Sequence, residues 1–186
     1  MASDPGKIRD VLREWVVETQ PHGEGDALIN ELCFIDKRRR ADLVHANGKL
    51  SAFEIKSSAD SLNRWPGQQD AYLRVFDAVW LCCHSKHVIN ALEKNHKSVG
   101  LMVVDDYYGL AVIKQPSSNR SVSAYDLAGL LWRSELDSLA KANGIEAPRN
   151  LKIDEIRQRV SDSLSVTAIR DHVLSRLKVR YADSAY

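Results

Sequence analysis

Asp42 and the run Glu54-Ile55-Lys56 are the residues of this chain whose types and spacing could do chemistry: an acid, eleven intervening residues, then a carboxylate and an ammonium two positions apart, D-x11-E-x-K. Phosphodiester hydrolysis needs a divalent cation to stabilise the extra negative charge on phosphate. Mg2+ takes one or two carboxylates and leaves its remaining octahedral positions to water and phosphate oxygen. Asp42 and Glu54 can be those carboxylates. Residues i and i+2 of a strand share a face, so Lys56 stands beside Glu54, where a lysine can orient the attacking water or hold the scissile phosphate. The bland alternative is a solvated face on which Glu54 and Lys56 keep a strand soluble. Asp42 resists that reading, because a carboxylate among Ala41, Leu43 and Val44 is costly without a partner or a metal.

These residues need strands and a turn to bring them together. "ADLVHA" and "LSAFEIK" read as two strands around Asn47-Gly48, the dipeptide most typical of a hairpin turn. Strand parity constrains that hairpin. A plain two-residue turn pairs Ala46 with Lys49 and sets Asp42 opposite Phe53, facing away from Glu54. A common metal site therefore predicts an irregular hairpin in which paired numbers sum to an even value, through a three-residue loop with Gly48 left-handed or through a bulge. That register also gathers Leu43, Phe53 and Ile55 on one buried face.

Ahead of the hairpin, Ser3-Asp4-Pro5 caps a helix carrying Ile8, Val11, Leu12, Trp15 and Val16, and after the loop Pro21 to Gly25, Asp26 predicts a short second helix, "ALINELCF", that bears Glu31. After it come a polar loop and a helix with Gln68, Tyr72, Leu73 and Phe76 at helical spacing. "AVWLCC" reads as a strand, "KHVINALEK" as a helix, and "VGLMVVDD" and "YGLAVIKQ" as two strands joined at Asp105 to Tyr108. The fold class is α/β. "PSSNR" at 116–120 reads as a linker, dividing a core at 1–118 from a helical region at 124–186. That region has one helix through Leu127, Leu130, Leu131, Leu136 and Leu139, ended by Gly144, a second through Ile153, Ile156 and Val160, and a third through Ile169, Val173 and Leu177. Trp132 is expected in the core. No repeat, low-complexity tract or glycine-rich phosphate loop is present.

In this setting the triad resembles the PD-(D/E)XK nuclease superfamily, whose signature is an acidic residue on one strand and E-x-K on the next. Glu31 matches the helical acidic ligand of many members, and Gln68-x3-Tyr72 matches the Q-x3-Y element of the RecB-like branch. The stretch from "ELCFIDKRRRADLVHANGKLSAFEIK" to "AVWLC" looks like a small bacterial and phage branch of it, and residues 5–115 are covered. Ala41 stands where the naming motif has proline. The resemblance implies a restriction-endonuclease-like αβββαβ core with a mixed sheet. It implies Mg2+ or Mn2+ held by Asp42, Glu54, Glu31 and the Ile55 carbonyl, with Lys56 orienting water and Gln68 positioning the lysine or the phosphate. Arg38, Arg39, Arg40, Arg64 and Tyr72 become candidates for nucleic-acid contact. Glu31 on a helix can equally be a surface residue, and Tyr72 beside Leu73 and Phe76 can equally be packing.

The expected function is hydrolysis of DNA phosphodiester bonds, in repair, recombination, or phage and mobile-element biology. DNA is the expected partner, and a homodimer is compatible with it. The rival is a non-catalytic nucleic-acid-binding or adaptor protein on the same fold. A sequence-specific restriction-type enzyme would need base-reading elements that cannot be picked out here.

Composition sets the outer bounds. With 186 residues, 44% of them hydrophobic and 27% charged, the chain can bury a core. No run approaches the ~20 apolar residues of a membrane span and "MASDPGKIRD" lacks a secretory stretch, so the expected location is cytoplasmic, away from membranes. A net charge of +1 means that nucleic-acid binding rests on local patches: Lys37 to Arg40, and the region 149–180 with eight Lys/Arg against four Asp/Glu. The tail around "NGI" loosely resembles helix-extended-helix modules of the SAP and Rho-N type, and a plain helical cap accounts for it as well. "CCHSKH", even with Cys33 or His96, lacks the second ligand pair of a structural zinc site, and Cys82 and Cys83 read as small hydrophobes ending a buried strand.

Overall fold

The computed structural model describes residues 3–182; residues 1, 2 and 183–186, at the outer bounds of the two expected regions, lie outside the description. Helix α1 (Pro5–Thr19) starts as its sequence dictates. Asp4 accepts the Gly6 amide at 2.9 Å, and Pro5, with no N–H to lose, opens the first turn. Ile8, Leu12 and Val16 form its buried stripe.

"ALINELCF" is not a helix but strand β1 (Ala27–Phe34), antiparallel to β2 (Arg39–Ala46) from Ala27↔Ala46 to Phe34↔Arg39. Asp26 caps nothing helical; it accepts the Gly23 amide at 2.9 Å and pairs with Lys178 at 2.7 Å. A short apolar run suits either conformation, and burial on both sides decided it: Ile29, Leu32 and Phe34 enter the apolar cluster on one face, Leu28 that on the other. The order α1, β1, β2, β3 (Leu50–Lys56), α2 (Trp65–Leu73), β4 (Ala78–His84) is therefore αβββαβ. A helix α3 (Val88–Lys94) leads to β5 (Gly100–Val104) and β6 (Leu110–Lys114), completing a mixed sheet ordered β1 to β6. β3, β4 and β5 run parallel, with α2 and α3 as the crossovers that parallel neighbours require; the other pairs are antiparallel.

The β2–β3 hairpin has the even register: Ala46 pairs with Leu50 and Leu43 with Phe53, around the three-residue loop Asn47-Gly48-Lys49. Gly48 is not the left-handed residue, since the described glycines with positive φ are Gly25 and Gly144. Asn47 closes the loop instead, its Oδ1 accepting the amides of Gly48 at 2.8 Å and Lys49 at 3.2 Å.

Leu43, Phe53 and Ile55 share one sheet face with Trp80 and Met102, covered by α1. Leu50, Ala52, Leu81 and Leu101 line the other face, under α2 and the C-terminal helices. Those helices number four, because the expected helix through Leu127 and Leu139 is broken into α4 (Ala124–Ala128) and α5 (Arg133–Ala142). Glu135 accepts the Trp132 amide at 2.8 Å and so starts a new helix there. Trp132 is not core either; it is 60% exposed, with the Arg180 guanidinium 4.1 Å from its ring centre. Helices α6 (Ile153–Ser163) and α7 (Val166–Arg180) bring Ile156, Val160, Ile169, Val173 and Leu177 into the same apolar cluster as the sheet. Arg170 pairs with Asp77, and Arg157 with Asp36, each at 2.7 Å.

Candidate functional site

Strands β1 and β2 both change face at one place. Ile29 and Leu32, three apart, share a cluster, as do Ala41 and Val44, so alternation breaks at Glu31 and Asp42, which the register sets across from each other. Glu31 carries the break at φ 56°, a conformation that costs a non-glycine residue about 1–3 kcal/mol. The switch turns Asp42 towards β3, where its Oδ2 accepts the Ile55 amide at 2.7 Å.

Glu54 continues the Leu50 and Ala52 side of β3 and is 4% exposed. Its Oε1 accepts Lys56 Nζ at 2.6 Å and Gln68 Nε2 at 3.2 Å, and its Oε2 accepts the Tyr72 hydroxyl. Helix α2 thus supplies Gln68 and Tyr72, one turn apart, to a single carboxylate. Burial, then the Glu54 charge, keeps the Tyr72 phenol protonated, so it is a donor. Asp42 is pushed up from 3.8 to about 6, first by burial and then by Glu54, against the pull of the Ile55 amide, Lys56 and Arg9.

Asp42, Glu54, Ile55 and Lys56 line one cleft of about 270 Å³ together with Pro5, Arg9, Arg40 and Asp60. Arg9 and Asp60 escaped the sequence reading. Arg9 had no signal beyond its place beside buried Ile8, and Asp60 only the Ser57-x2-Asp60 spacing, through which it accepts the Ser57 amide at 2.8 Å and hydroxyl at 2.6 Å. Glu31 does not join the two carboxylates. It stands on a strand, its side chain 44% exposed, paired with Arg9 at 3.5 Å and Arg40 at 3.3 Å. Tyr72, a candidate for nucleic-acid contact, is 1% exposed and cannot reach a ligand outside the core. Arg38, Arg39 and Arg64 are exposed but do not line the cleft.

The cysteine and histidine run disperses. Cys82 and Cys83 occupy opposite faces of β4, and burial pushes both thiols up, Cys83 to about 12. His84 pairs with Asp106 at 3.1 Å, and His87 meets the Ser57 carbonyl at 3.0 Å.

Similarity to known proteins is nearly chain-long. The family model described as "Bacteriophage P4 protein cII" matches residues 7–185. Protein cII of Enterobacteria phage P4 is 30% identical over 178 residues, covering 94% of this chain and 67% of that protein. Among solved structures, a protein of unknown function from Silicibacter pomeroyi aligns with a TM-score of 0.49 at 15% identity, over 81% of this chain and 97% of that one. Among the described residues, no helix is long and apolar enough to cross a membrane.

Proposed function

The chain belongs to the bacteriophage P4 protein cII family, and we propose that it is a metal-dependent nuclease of the PD-(D/E)XK type, acting on DNA with Mg2+ or Mn2+. One observation carries the reading: Asp42 and Glu54, from neighbouring strands, open into one cleft with Lys56 Nζ 2.6 Å from Glu54. The donor set suits a hard cation, being all oxygen, and Asp42, burdened by burial and by Glu54, is the group that a positive charge relieves. Asp42, Glu54 and the Ile55 carbonyl are the residues that would hold it. Glu31 is left out because two arginines engage it. A bound dication stabilises the extra negative charge on the phosphate.

The chain's own groups divide the remaining work. Lys56 orients water or holds the scissile phosphate. Gln68 and Tyr72 fix the rotamer of Glu54 from behind, so they are positioning residues. Arg9 and Arg40 line the cleft beside Lys56 and can meet an entering phosphate, while Arg38, Arg39 and Arg64 extend the contact without choosing sequence. The family's phage member fits a phage or mobile-element setting.

One observation favours the rival reading, a DNA-binding protein without catalysis. Lys56, Gln68 and Tyr72 already satisfy Glu54, as in a retired site kept for structure. Incubating the full chain with linear and circular DNA in Mg2+, Mn2+ or EDTA separates the two. Metal-dependent cleavage lost in Lys56→Ala supports the nuclease. Binding without cleavage in either metal assigns the rival, and neither binding nor cleavage removes both.

A further inference from the structure

A second constellation stands apart from the carboxylate cleft. The loop after α1 brings His22 to the sheet, Asp26 sits at the foot of β1, and His45 lies on β2 across from Leu28. His22 Nδ1 and His45 Nε2 are 3.1 Å apart, their rings tilted by 40°, and an Asp26 carboxylate oxygen lies within 4.8 Å of both. Among the described residues, no other three His, Cys, Asp or Glu side chains gather ligand atoms so closely. We infer that His22, Asp26 and His45 form a binding site for a divalent transition metal of the zinc class, which fastens the loop 21–26 to the sheet.

The geometry needs little change to take an ion. Zinc–nitrogen bonds are about 2.0–2.1 Å, so two tetrahedral imidazole ligands stand roughly 3.4 Å apart, a few tenths beyond the observed separation. A bare N–H···N hydrogen bond between the imidazoles explains the 3.1 Å distance but not the approach of the Asp26 carboxylate to both rings. His45 is 1% exposed, and its Nε2 and His22 Nδ1 already converge on one place. Two cations oppose an ion here: Lys49, whose charge reaches His45, and Lys178, which donates to Asp26 Oδ1 and to the Asn47 carbonyl, each at 2.7 Å. A carboxylate has about four acceptor positions, and Lys178 with the Gly23 amide uses two, so Asp26 can ligate while keeping both.

Two imidazoles and one carboxylate select zinc, cobalt or nickel over magnesium, which demands oxygen. His45 lies three residues from Asp42, about 10 Å along β2, and shares no ligand with the cleft, so the site does not depend on the nuclease reading.

The test is isothermal titration of the EDTA-stripped full chain with Zn2+, and with Co2+ followed by visible absorption. The expected result is one ion per chain, cobalt bands of low coordination number displaced by Zn2+, and no competition from excess Mg2+. His22→Ala alters an exposed position and leaves the core intact; with Asp26→Asn it should weaken Zn2+ by more than the ~10–100-fold typical of outer-shell changes, whereas Asp42→Asn leaves it unaltered. Absence of saturable Zn2+ binding, or an affinity unchanged in either His22→Ala or Asp26→Asn, overturns the site.

Discussion

The Asp42 carboxylate accepts the Ile55 amide at 2.7 Å just beyond Leu43↔Phe53, the last pair of the β2–β3 ladder. A side chain there takes up a backbone donor that β2 leaves unmet, which fixes Asp42 beside Glu54. The same bond stabilises an ionised Asp42, while burial and Glu54 oppose ionisation more strongly.

Asp42 should therefore make stability depend on pH. Its folded value of about 6 lies above the ordinary 3.8, so the folded chain holds the proton more tightly. The sign follows: the contribution is fully present below about 4 and is lost as pH rises through 6, by at most roughly 3 kcal/mol. Asp42→Asn, whose amide oxygen can still accept the Ile55 amide, should be more stable than the parent at pH 7, with the gap closing towards pH 4. Urea unfolding from pH 4.5 to 7.5 measures it, and parallel curves for the two proteins would contradict the assignment.

For Glu54 the conservative variant is the informative one. Glu54→Ala strands the donors of Lys56, Gln68 and Tyr72 in a buried place, and should cost stability as well as activity. Glu54→Gln keeps the volume. On the proposed mechanism it should lower metal-dependent cleavage by about 100-fold or more while circular dichroism and DNA affinity hold. Cleavage at the parent's rate in Glu54→Gln would remove Glu54 from the chemistry.

Tyr72→Phe deletes only the hydroxyl that holds Glu54, leaving the ring against Phe34 and Phe76. The expected loss is about 1.5–3 kcal/mol of stability, that of a hydrogen bond to a charged group. As a positioning residue it should lower kcat more than it raises KM. A change confined to KM would instead mark Tyr72 as a substrate contact, which its burial opposes.

Truncation after residue 118 tests how the C-terminal helices relate to the sheet. Leu127, Leu136, Val160, Val173 and Leu177 share a cluster with Leu50, Val79 and Leu101, and Asp26, Asp77 and Asp36 lose ionic partners when the tail is cut. The shortened chain should lose cooperative unfolding, because Leu50 and its neighbours would face water. A sharp thermal transition in residues 1–118 would establish a self-sufficient core.

Much of the candidate site was legible because it is local. D-x11-E-x-K, Gln68-x3-Tyr72 and the even register demanded by Leu43, Phe53 and Ile55 all follow from periodicity along one chain segment, and the structure has that register and brings Asp42, Glu54 and Lys56 to one cleft, with the break of alternation at Asp42 as an addition that parity does not contain. Glu31 was misplaced because the run around it carries no decisive period. Its conformation was settled by β2, nineteen residues or fewer away in the pairing yet invisible to a local reading.

What the sequence determined by itself was the kind of chemistry available, the alternation that builds β3 and the short apolar run that builds β4, since all rest on residue type and nearest spacing. Tertiary structure alone decided that "ALINELCF" is a strand, that Trp132 faces solvent and that Tyr72 serves Glu54 from within the core. It also decided that His22, Asp26 and His45 meet, through a ladder that sets Leu28 against His45. The reason is physical. Local propensities differ by less than about 1 kcal/mol per residue, whereas burying a large apolar side chain is worth about 1.5–3 kcal/mol, so partners distant in sequence outvote the segment's own preference.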